Sequence, residues 1–262
     1  MRDFLDDIQA NMDAGIGRAQ QHARKELPRR FYKNVTVEKI GNGFGIGLDG
    51  RFCKTPSGKK TVVPSRELAG ILAEEWERQE KVIDAGSMPL VRLVNSAIEG
   101  GAEVQEVLRD EVVKFAANDL LLYRAEHPVE LVELQNKYWN PVLEKLERHF
   151  SIIFETVSGI IHRPQPEKSL AVLKADLVDV DHFVATALVS ITGLTGSGLL
   201  AFALRHGLVS GEYAWNSAMV DEDFNAERWG RDPEAVLRNE KRQAEFDAAL
   251  KVLCLLDKIQ SS

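Results

Sequence analysis

The chain has 262 residues, which at about 150 residues per domain predicts one or two domains. Hydrophobic residues make up 44% and charged residues 28%, so there is enough apolar mass to offset chain entropy, which disfavours intrinsic disorder. The net charge of −7 disfavours a general nucleic-acid binder, because nonspecific affinity for nucleic acid comes from clustered cations that neutralise phosphates.

The first predicted element is a short amphipathic helix, in which four apolar residues recur at every fourth position: Phe4, Ile8, Met12 and Ile16. This segment lacks the apolar stretch of a secretory signal peptide, and its several aspartates disfavour a transit peptide, because transit peptides contain few acidic residues. The two cysteines are far apart in sequence, which favours free thiols over a disulfide framework or a cysteine-based zinc site. We therefore expect a cytoplasmic protein of bacterial type.

Period-two patterning from Phe31 onwards predicts a meander of about four short antiparallel strands, the last over residues 60–63. Asp49-Gly50 is a strong two-residue hairpin signal. The alternating glycines at positions 41–47 superficially suggest a phosphate loop, but no helix follows them. They are better interpreted as a strand pair with close backbone approach. A sheet this small cannot bury its apolar face alone, so we expect a helix to pack on it.

The helix predicted to pack on the sheet begins after Ser65 and extends to about residue 83. Trp76 and Gln79 lie in this helix, and the tryptophan is expected to pack in the core. Met88-Pro89 then interrupts the pattern and marks a junction between domains.

Every segment beyond Gly100-Gly101 has helical spacing. We predict one helix reaching Tyr123, a second opened by Pro128 with a possible kink at Pro141, a broken pair over about 182–206, a helix around 210–221, and a final helix over about 232–257. Residues 183–204 carry no charge and imitate a membrane span, but a cluster of Thr, Ser and Gly at 192–198 breaks the run. No membrane insertion is predicted.

No local motif indicates catalysis. The nearest group resembling metal ligands is Asp176, Asp179, Asp181 and His182. These acids precede a predicted helix, so helix capping is favoured over a metal site. We expect no metal and no cofactor. An enzyme acting on a small molecule in the cleft between the sheet domain and the bundle is kept as the alternative hypothesis, because catalytic groups can converge from distant segments.

Several short motifs occur in a fixed order along the chain: Arg30-Phe31-Tyr32-Lys33, Leu48-Asp49-Gly50-Arg51, Glu75-Trp76-x-x-Gln79, Met88-Pro89-Leu90, Asp119-Leu120-Leu121-x-Tyr123-Arg124-Ala125, Gln135-x-x-x-Trp139-x-Pro141 and Phe224-Asn225-x-x-x-Trp229-Gly230. Together they resemble the assembly chaperones of the F-type ATP synthase catalytic sector, the family that binds the alpha subunit. The resemblance covers roughly residues 30 to 250. Asn225 departs from it, since the family is expected to have Gln there.

The resemblance implies a non-enzymatic chaperone that binds unassembled alpha subunit, prevents its aggregation and releases it for assembly. It also implies an α+β fold, with a small antiparallel sheet domain and its covering helix followed by an all-helical orthogonal bundle. The expected divisions are an N-terminal helical segment over 1–27, the α+β domain over 28–92 and the bundle over 93–262. We expect a monomer that binds no nucleic acid.

In the family, a functionally important acidic residue lies just before the phenylalanine that corresponds to Phe224. The resemblance therefore implies a partner-binding site at Asp221, Glu222, Asp223, Phe224 and Trp229, with Glu222 favoured as the acidic residue. Each also has a plain structural interpretation: the acids as a solvated helix face, and Trp229-Gly230 as a helix end. The motif residues Trp76, Gln79, Met88, Pro89, Asp49 and Gly50 are expected to be structural.

Overall fold

The computed structural model describes residues 27–159, 162–230 and 232–257. The helix expected around Phe4 and Ile16 lies outside the described residues. Within them, a small antiparallel sheet is followed by a mainly helical region, which confirms the α+β class. One continuous apolar core joins the two parts.

The sheet is built around its second strand. β1 (Val35–Ile40) and β2 (Gly43–Leu48) pair along their whole lengths, and the other edge of β2 pairs with both β3 (Arg51–Phe52) and β4 (Val62–Val63). The predicted meander is confirmed in part: Lys54 and Lys60, which follow β3 and precede β4, form an antiparallel bridge, but β4 itself pairs with β2. β3 is only two residues long and leaves half of the β2 edge free for β4.

Asp49 and Gly50 form the predicted hairpin turn. Both have a positive φ, 49° and 79°, as the favoured two-residue hairpin turn requires. The carboxylate of Asp49 also accepts hydrogen bonds from the amides of Lys33 and Asn34, each at 2.9 Å, and these bonds lower its pKa. The aspartate therefore ties the chain entering the sheet to the hairpin.

The glycines of β2 allow close packing, as predicted. A Cβ atom on Gly43 would lie 2.7 Å from Cγ1 of Val62 and 2.8 Å from the carbonyl oxygen of Val63. β4 can approach β2 this closely only because the side chain is missing.

Helix α1 (Arg66–Glu77) packs on β1 and β2. Its predicted N-cap is confirmed, since Oγ of Ser65 accepts from the amide of Leu68 at 3.2 Å. Trp76 is half-buried and packs edge-on against the ring of Tyr32, with ring centroids 5.8 Å apart. The Tyr32 hydroxyl donates to the Trp76 carbonyl oxygen at 2.7 Å.

The chain after α1 is held back against that helix by buried Gln79. Its Nε2 donates to Oγ of Ser87 at 3.1 Å, and its Oε1 accepts from the amide of Asp84 at 2.7 Å. Met88 is fully buried at the same junction. These contacts explain why this stretch needs an amide side chain and a large apolar one.

Helix α2 (Pro89–Gly100) begins at the next residue, with Pro89 at its first position, where a missing N–H is tolerated. The buried carboxylate of Glu75 accepts from the amides of Leu90 at 3.0 Å and Val91 at 2.8 Å. Burial raises the pKa of Glu75 against these two bonds. The predicted boundary between residues 92 and 93 falls inside α2, which packs both on α1 and on the helical region.

Eight helices follow: α3 (Gln105–Ala117), α4 (Val129–Phe150), α5 (Glu167–Asp176), α6 (His182–Thr195), α7 (Gly198–Arg205), α8 (Gly211–Ala218), α9 (Val220–Trp229) and α10 (Pro233–Leu256). The centre is α6, which packs against α2, α3, α7 and α10. The helix expected around 210–221 is two helices that divide at Met219. The helical region also contains a parallel pair of two-residue strands, β5 (Tyr123–Arg124) and β6 (Val157–Ser158), too short for a sequence signal.

The predicted break between α6 and α7 is confirmed. Gly196 ends α6 with φ 70°, and Oγ of Ser197 caps α7 by accepting from the amide of Leu200 at 2.9 Å. Of the helices in the described ranges, none is long and apolar enough to cross a membrane.

Helix α3 ends at Ala117 rather than at the predicted Tyr123, because the side chain of Asp119 forms hydrogen bonds with the backbone of two segments outside the helix. Its fully buried carboxylate accepts from the amide of Leu121 at 3.1 Å and from the amide of Leu199, in the first turn of α7, at 2.9 Å. Burial raises the pKa of Asp119 to about 7, against the hydrogen bonds that lower it.

This raised pKa predicts a pH dependence of stability. The folded state binds the proton of Asp119 more tightly than the unfolded state, so the contribution of this group is greatest near pH 4 and is lost as the pH rises through about 7. The slope approaches about 1.4 kcal/mol per pH unit within that window. Urea denaturation between pH 4.5 and 8 should show that the stability difference between the native chain and Asp119→Asn changes with pH. Parallel curves would contradict the assignment.

Candidate functional site

The acidic segment predicted as the site lies on α9, and buried residues of α4 hold it in place. Gln135 is central to this arrangement: its Oε1 accepts from the amide of Ala125 at 2.8 Å, and its Nε2 donates to Oδ1 of Asp221 at 2.8 Å. The main-chain oxygen of Gln135 accepts from Nη1 of Arg124 at 3.1 Å. Asp221 is therefore oriented from inside the protein.

Arg124 is a buried cation beneath this site. Its guanidinium lies 5.0 Å from the centroid of the Trp139 ring, and within the described residues its Nε and Nη2 have no hydrogen-bond partner. Burial lowers the pKa of Arg124 to about 10. A buried guanidinium without a carboxylate is costly, and the stacked indole offsets part of that cost.

The other two residues of the Gln135-x-x-x-Trp139-x-Pro141 motif fix α8, which precedes α9. Trp139 is fully buried, and its Nε1 donates to the Ser217 carbonyl oxygen at 2.8 Å. Pro141 has no N–H for the carbonyl of Lys137 four residues earlier. The Tyr213 hydroxyl contacts that oxygen at 3.4 Å and donates to the Tyr138 oxygen at 3.0 Å. The proline thus leaves the Lys137 carbonyl oxygen without its helical hydrogen bond, and Tyr213 of α8 contacts that oxygen instead.

The three acids occupy the first turn of α9, where the helix dipole favours negative charge. Glu222 is the outward-facing member: its side chain is 56% exposed, and its two carboxylate oxygens accept from Nη1 of Arg242 at 2.9 and 3.0 Å. Asp223 is half-buried. Arg242 also donates to the Leu194 carbonyl oxygen at 3.0 Å, so it joins α9 to both α10 and the end of α6.

Phe224 and Trp229 have opposite environments. Phe224 is 8% exposed and packs under the guanidinium of Arg228, 4.5 Å from its ring centroid. Trp229, the last residue of α9, is 85% exposed. Gly230 ends the helix with φ 90°, as predicted. The sequence pattern did not distinguish the two aromatic residues, because only the docking of α9 decides which one faces the core.

A second exposed apolar side chain, Val129, belongs to the start of α4. A 3.5 Å ion pair between Arg228 and Glu130, the chain neighbours of Trp229 and Val129, joins the end of α9 to the start of α4. We call Trp229 and Val129 the Trp229 surface. Exposed tryptophan is uncommon because burying it is favourable, and tryptophan is enriched among the residues that dominate protein–protein binding.

The other predicted clusters are structural. Oδ1 of Asp181 accepts from the amide of Val184 at 2.9 Å, so the predicted capping role is confirmed. Asp176 pairs with Arg205 and with Nε2 of His206 inside the helical region. Among the described residues, no group of three or more His, Cys, Asp or Glu side chains is arranged to hold a metal ion. Both cysteines are free.

An open cavity of about 520 Å³ lies beside β6 and is lined by Thr156, Val157, Ser158, His162, Arg163 and Pro164. Its lining residues all belong to the helical region, so this cavity is not the cleft considered for an enzyme. Nδ1 of His162 lies 3.0 Å from the Tyr123 hydroxyl, and Arg163 pairs with Glu155 at 3.0 Å. The first contact joins a hydroxyl to an imidazole, and the second is an exposed ion pair.

Comparison with known proteins places the chain among chaperones. A family model described as "ATP12 chaperone protein" matches residues 29–147. The crystal structure of Atp12 from Paracoccus denitrificans is 34% identical, with a TM-score of 0.80, and covers 87% of this chain and 98% of its own. A candidate chaperone from Agrobacterium tumefaciens is 41% identical, with a TM-score of 0.84, and covers 98% of this chain and 97% of its own.

A curated relative, mitochondrial protein atp12 of Schizosaccharomyces pombe, is 29% identical over 215 residues, which are 77% of this chain and 74% of that protein. The chain belongs to the ATP12 chaperone family. This confirms the resemblance, drawn from the ordered motifs, to the chaperones of ATP synthase assembly.

Proposed function

We propose that this chain is a monomeric, non-enzymatic chaperone that binds the unassembled alpha subunit of ATP synthase, prevents its aggregation and releases it to the catalytic sector. The observation that carries the proposal is the 85% exposed Trp229 at the end of a helix whose first turn is acidic. Membership of the ATP12 family supports it.

A subunit that has not yet joined its ring exposes an apolar patch of interface size, and such patches aggregate. Masking that patch requires apolar area and orientation rather than chemistry. In this role the Trp229 surface supplies apolar contact, and the acids of α9 orient a partner of opposite charge. The chaperone must bind the patch less tightly than the finished assembly does, because only then can the final partner displace it.

The five site residues divide by environment. Glu222 and Trp229 are exposed and are proposed to touch the partner directly. Asp221 is tied to Gln135 and Phe224 is buried, so these two are proposed to orient α9, with Asp223 beside them. The predicted cytoplasmic location stays a prediction, and the fungal relative is named as mitochondrial.

Coexpression with the alpha subunit tests the proposal. We expect more soluble alpha subunit and a complex that copurifies, with one copy of this chain per alpha subunit by light scattering. No gain in soluble alpha subunit and no complex would refute the proposed function. An enzymatic activity that survives removal of the Trp229 surface would favour the alternative hypothesis.

Charge reversal at Glu222 gives a sharper test of the site. Glu222→Lys is expected to weaken binding of the alpha subunit by about tenfold or more, because it reverses a charge at the proposed contact. Loss of the exposed ion pair, repulsion between the new lysine and Arg242, and the dipole of the first turn together cost on the order of 1–2 kcal/mol, so the thermal midpoint should fall by only a few degrees and the variant should stay folded.

Glu167→Lys is the matched control, because it makes the same charge change at an exposed acid in the first turn of another helix, α5. It should bind within about twofold of the native chain, since a charge reversed outside the proposed contact has a small screened effect. If Glu222→Lys folds and captures alpha subunit as well as the control does, Glu222 is not part of the site.

A further inference from the structure

Charge is divided unevenly between the two parts of the protein. Residues 28–88 contain eleven Lys and Arg against eight Asp and Glu, whereas residues 89–257 contain 17 against 27. The excess of positive charge has a local source: residues 50–64 carry four cations, Arg51, Lys54, Lys59 and Lys60, and no acid. We call residues 51–60 the basic hairpin. It lies on the sheet, on the edge of β2 away from β1.

Two lysines of the basic hairpin face each other. Lys54 and Lys60 form an isolated antiparallel bridge. The flanking hydrogen bonds, from the amide of Thr55 to the Lys59 oxygen at 2.8 Å and from the amide of Thr61 to the Cys53 oxygen at 3.0 Å, identify this as the non-hydrogen-bonded type of pair. Side chains approach most closely in that type, and like charges placed there are destabilising.

Three of the four cations of the basic hairpin have no acidic partner in the described parts of the chain, whereas Lys59 lies beside Glu99. Arg51, Lys54 and Lys60 are exposed, and none of them has an ion pair within the described ranges. Nζ of Lys60 lies 6.0 Å from the centroid of the Phe52 ring. The two facing lysines therefore form an unfavourable like-charge pair that a negative charge bound beside them would relieve.

The basic hairpin is also held in a fixed position. Nζ of Lys59 donates to the carbonyl oxygen of Glu99 at 3.1 Å, at the end of α2, and the amide of Ser57 donates to Oε1 of Glu99 at 2.8 Å. A charged loop anchored in this way loses little conformational entropy when it binds.

We propose that the basic hairpin is a second contact surface that binds an acidic segment of the client protein, separate from the acidic surface of α9. The identity of the client rests on the proposed function. Two contacts of opposite sign on one chaperone raise the local concentration of each for its target, so a modest electrostatic contact at the hairpin strengthens the whole complex. They also fix the orientation of the client. The net charge of −7 opposes binding of a nucleic acid at this surface.

The test uses Lys54→Glu, which separates binding from folding. The new glutamate faces Lys60, so an opposite-charge pair replaces a like-charge pair and the unfolding midpoint should stay the same or rise. Affinity for purified alpha subunit should nevertheless fall at least fivefold in low salt, and the difference should shrink at 0.5 M salt. Lys39→Glu, an equal charge change on β1, is the control and should bind within about twofold of the native chain.

A second probe does not depend on the alpha subunit. Titration of the native chain with a hexaglutamate peptide should shift the NMR signals of residues 51–60, and Lys54→Glu should abolish these shifts. Shifts without any binding of alpha subunit would refute the proposed function but support an acidic partner. Native-like binding of alpha subunit by Lys54→Glu would overturn the inference alone. A DNA duplex that binds the hairpin more tightly than either probe, or self-association abolished by Lys54→Glu, would also overturn it.

Discussion

Gly198→Ala is expected to destabilise the protein by about 3 kcal/mol, at the upper end of the cost of overpacking a core. Gly198 begins α7, and a Cβ atom there would lie 2.4 Å from the carbonyl oxygen of Val112 and 2.8 Å from the amide nitrogen of Ala116. Both atoms belong to the backbone of α3, which cannot rotate out of the way as a side chain can. Helices α3 and α7 would have to separate, and the hydrogen bond from the amide of Leu199 to the carboxylate of Asp119 would be lost.

Gly70→Ala is the matched control for this substitution. Gly70 lies inside α1 with nothing within 4 Å of its Cβ position, so alanine should stabilise the protein by about 0.5–1 kcal/mol through its helix propensity. Urea denaturation of both variants would measure the two effects. Equal effects of the two substitutions would show that α3 and α7 are not in the contact described.

Trp229→Ala is expected to leave folding almost unchanged and to weaken capture of the alpha subunit by about thirtyfold. The side chain is 85% exposed, so its removal should change the free energy of unfolding by less than about 0.5 kcal/mol. A tryptophan at the centre of a protein interface contributes about 2 kcal/mol or more, which corresponds to that fold-change.

Isothermal titration with purified alpha subunit and thermal unfolding would measure the two effects separately. Ile153→Ala removes an apolar side chain of comparable exposure between α4 and α5 and should bind like the native chain. If Trp229→Ala also binds like the native chain, the Trp229 surface is not the contact, whatever the role of Glu222.

Local signals in the sequence predicted most of the fold. The Asp49-Gly50 turn, the caps at Ser65 and Asp181, and the break between α6 and α7 depend on residues within a few positions of one another. The pairing of β4 with β2 and the end of α3 at Ala117 depend on partners far along the chain. Period-two or period-3.6 spacing contains no information about such partners.

The candidate site was predictable in part. The ordered motifs pointed to residues 221–229, but the helix predicted around 210–221 ended at the first of the three acids, whereas all three lie in the first turn of α9. That Glu222 faces outwards while Asp221 meets Gln135, 86 positions away, depends on how α9 docks on α4. The exposure of Val129 gave no signal in the sequence, because folded proteins leave many single apolar side chains exposed and only the packing of the helix decides which ones.

Helix α9 is less deeply buried than the central helix α6, so we expect it to be locally less stable. Eleven of the fourteen residues of α6 are buried, but only Val220 and Phe224 are buried among the ten of α9. Polar contacts, among them those to Gln135, Arg242 and Glu130, hold α9 instead. Such a helix opens without unfolding the rest of the protein, so its amide protons should exchange with solvent long before those of α6. A bound client that holds α9 in place would slow this exchange, and salt, which screens the ion pairs with Arg242 and Glu130, would accelerate it.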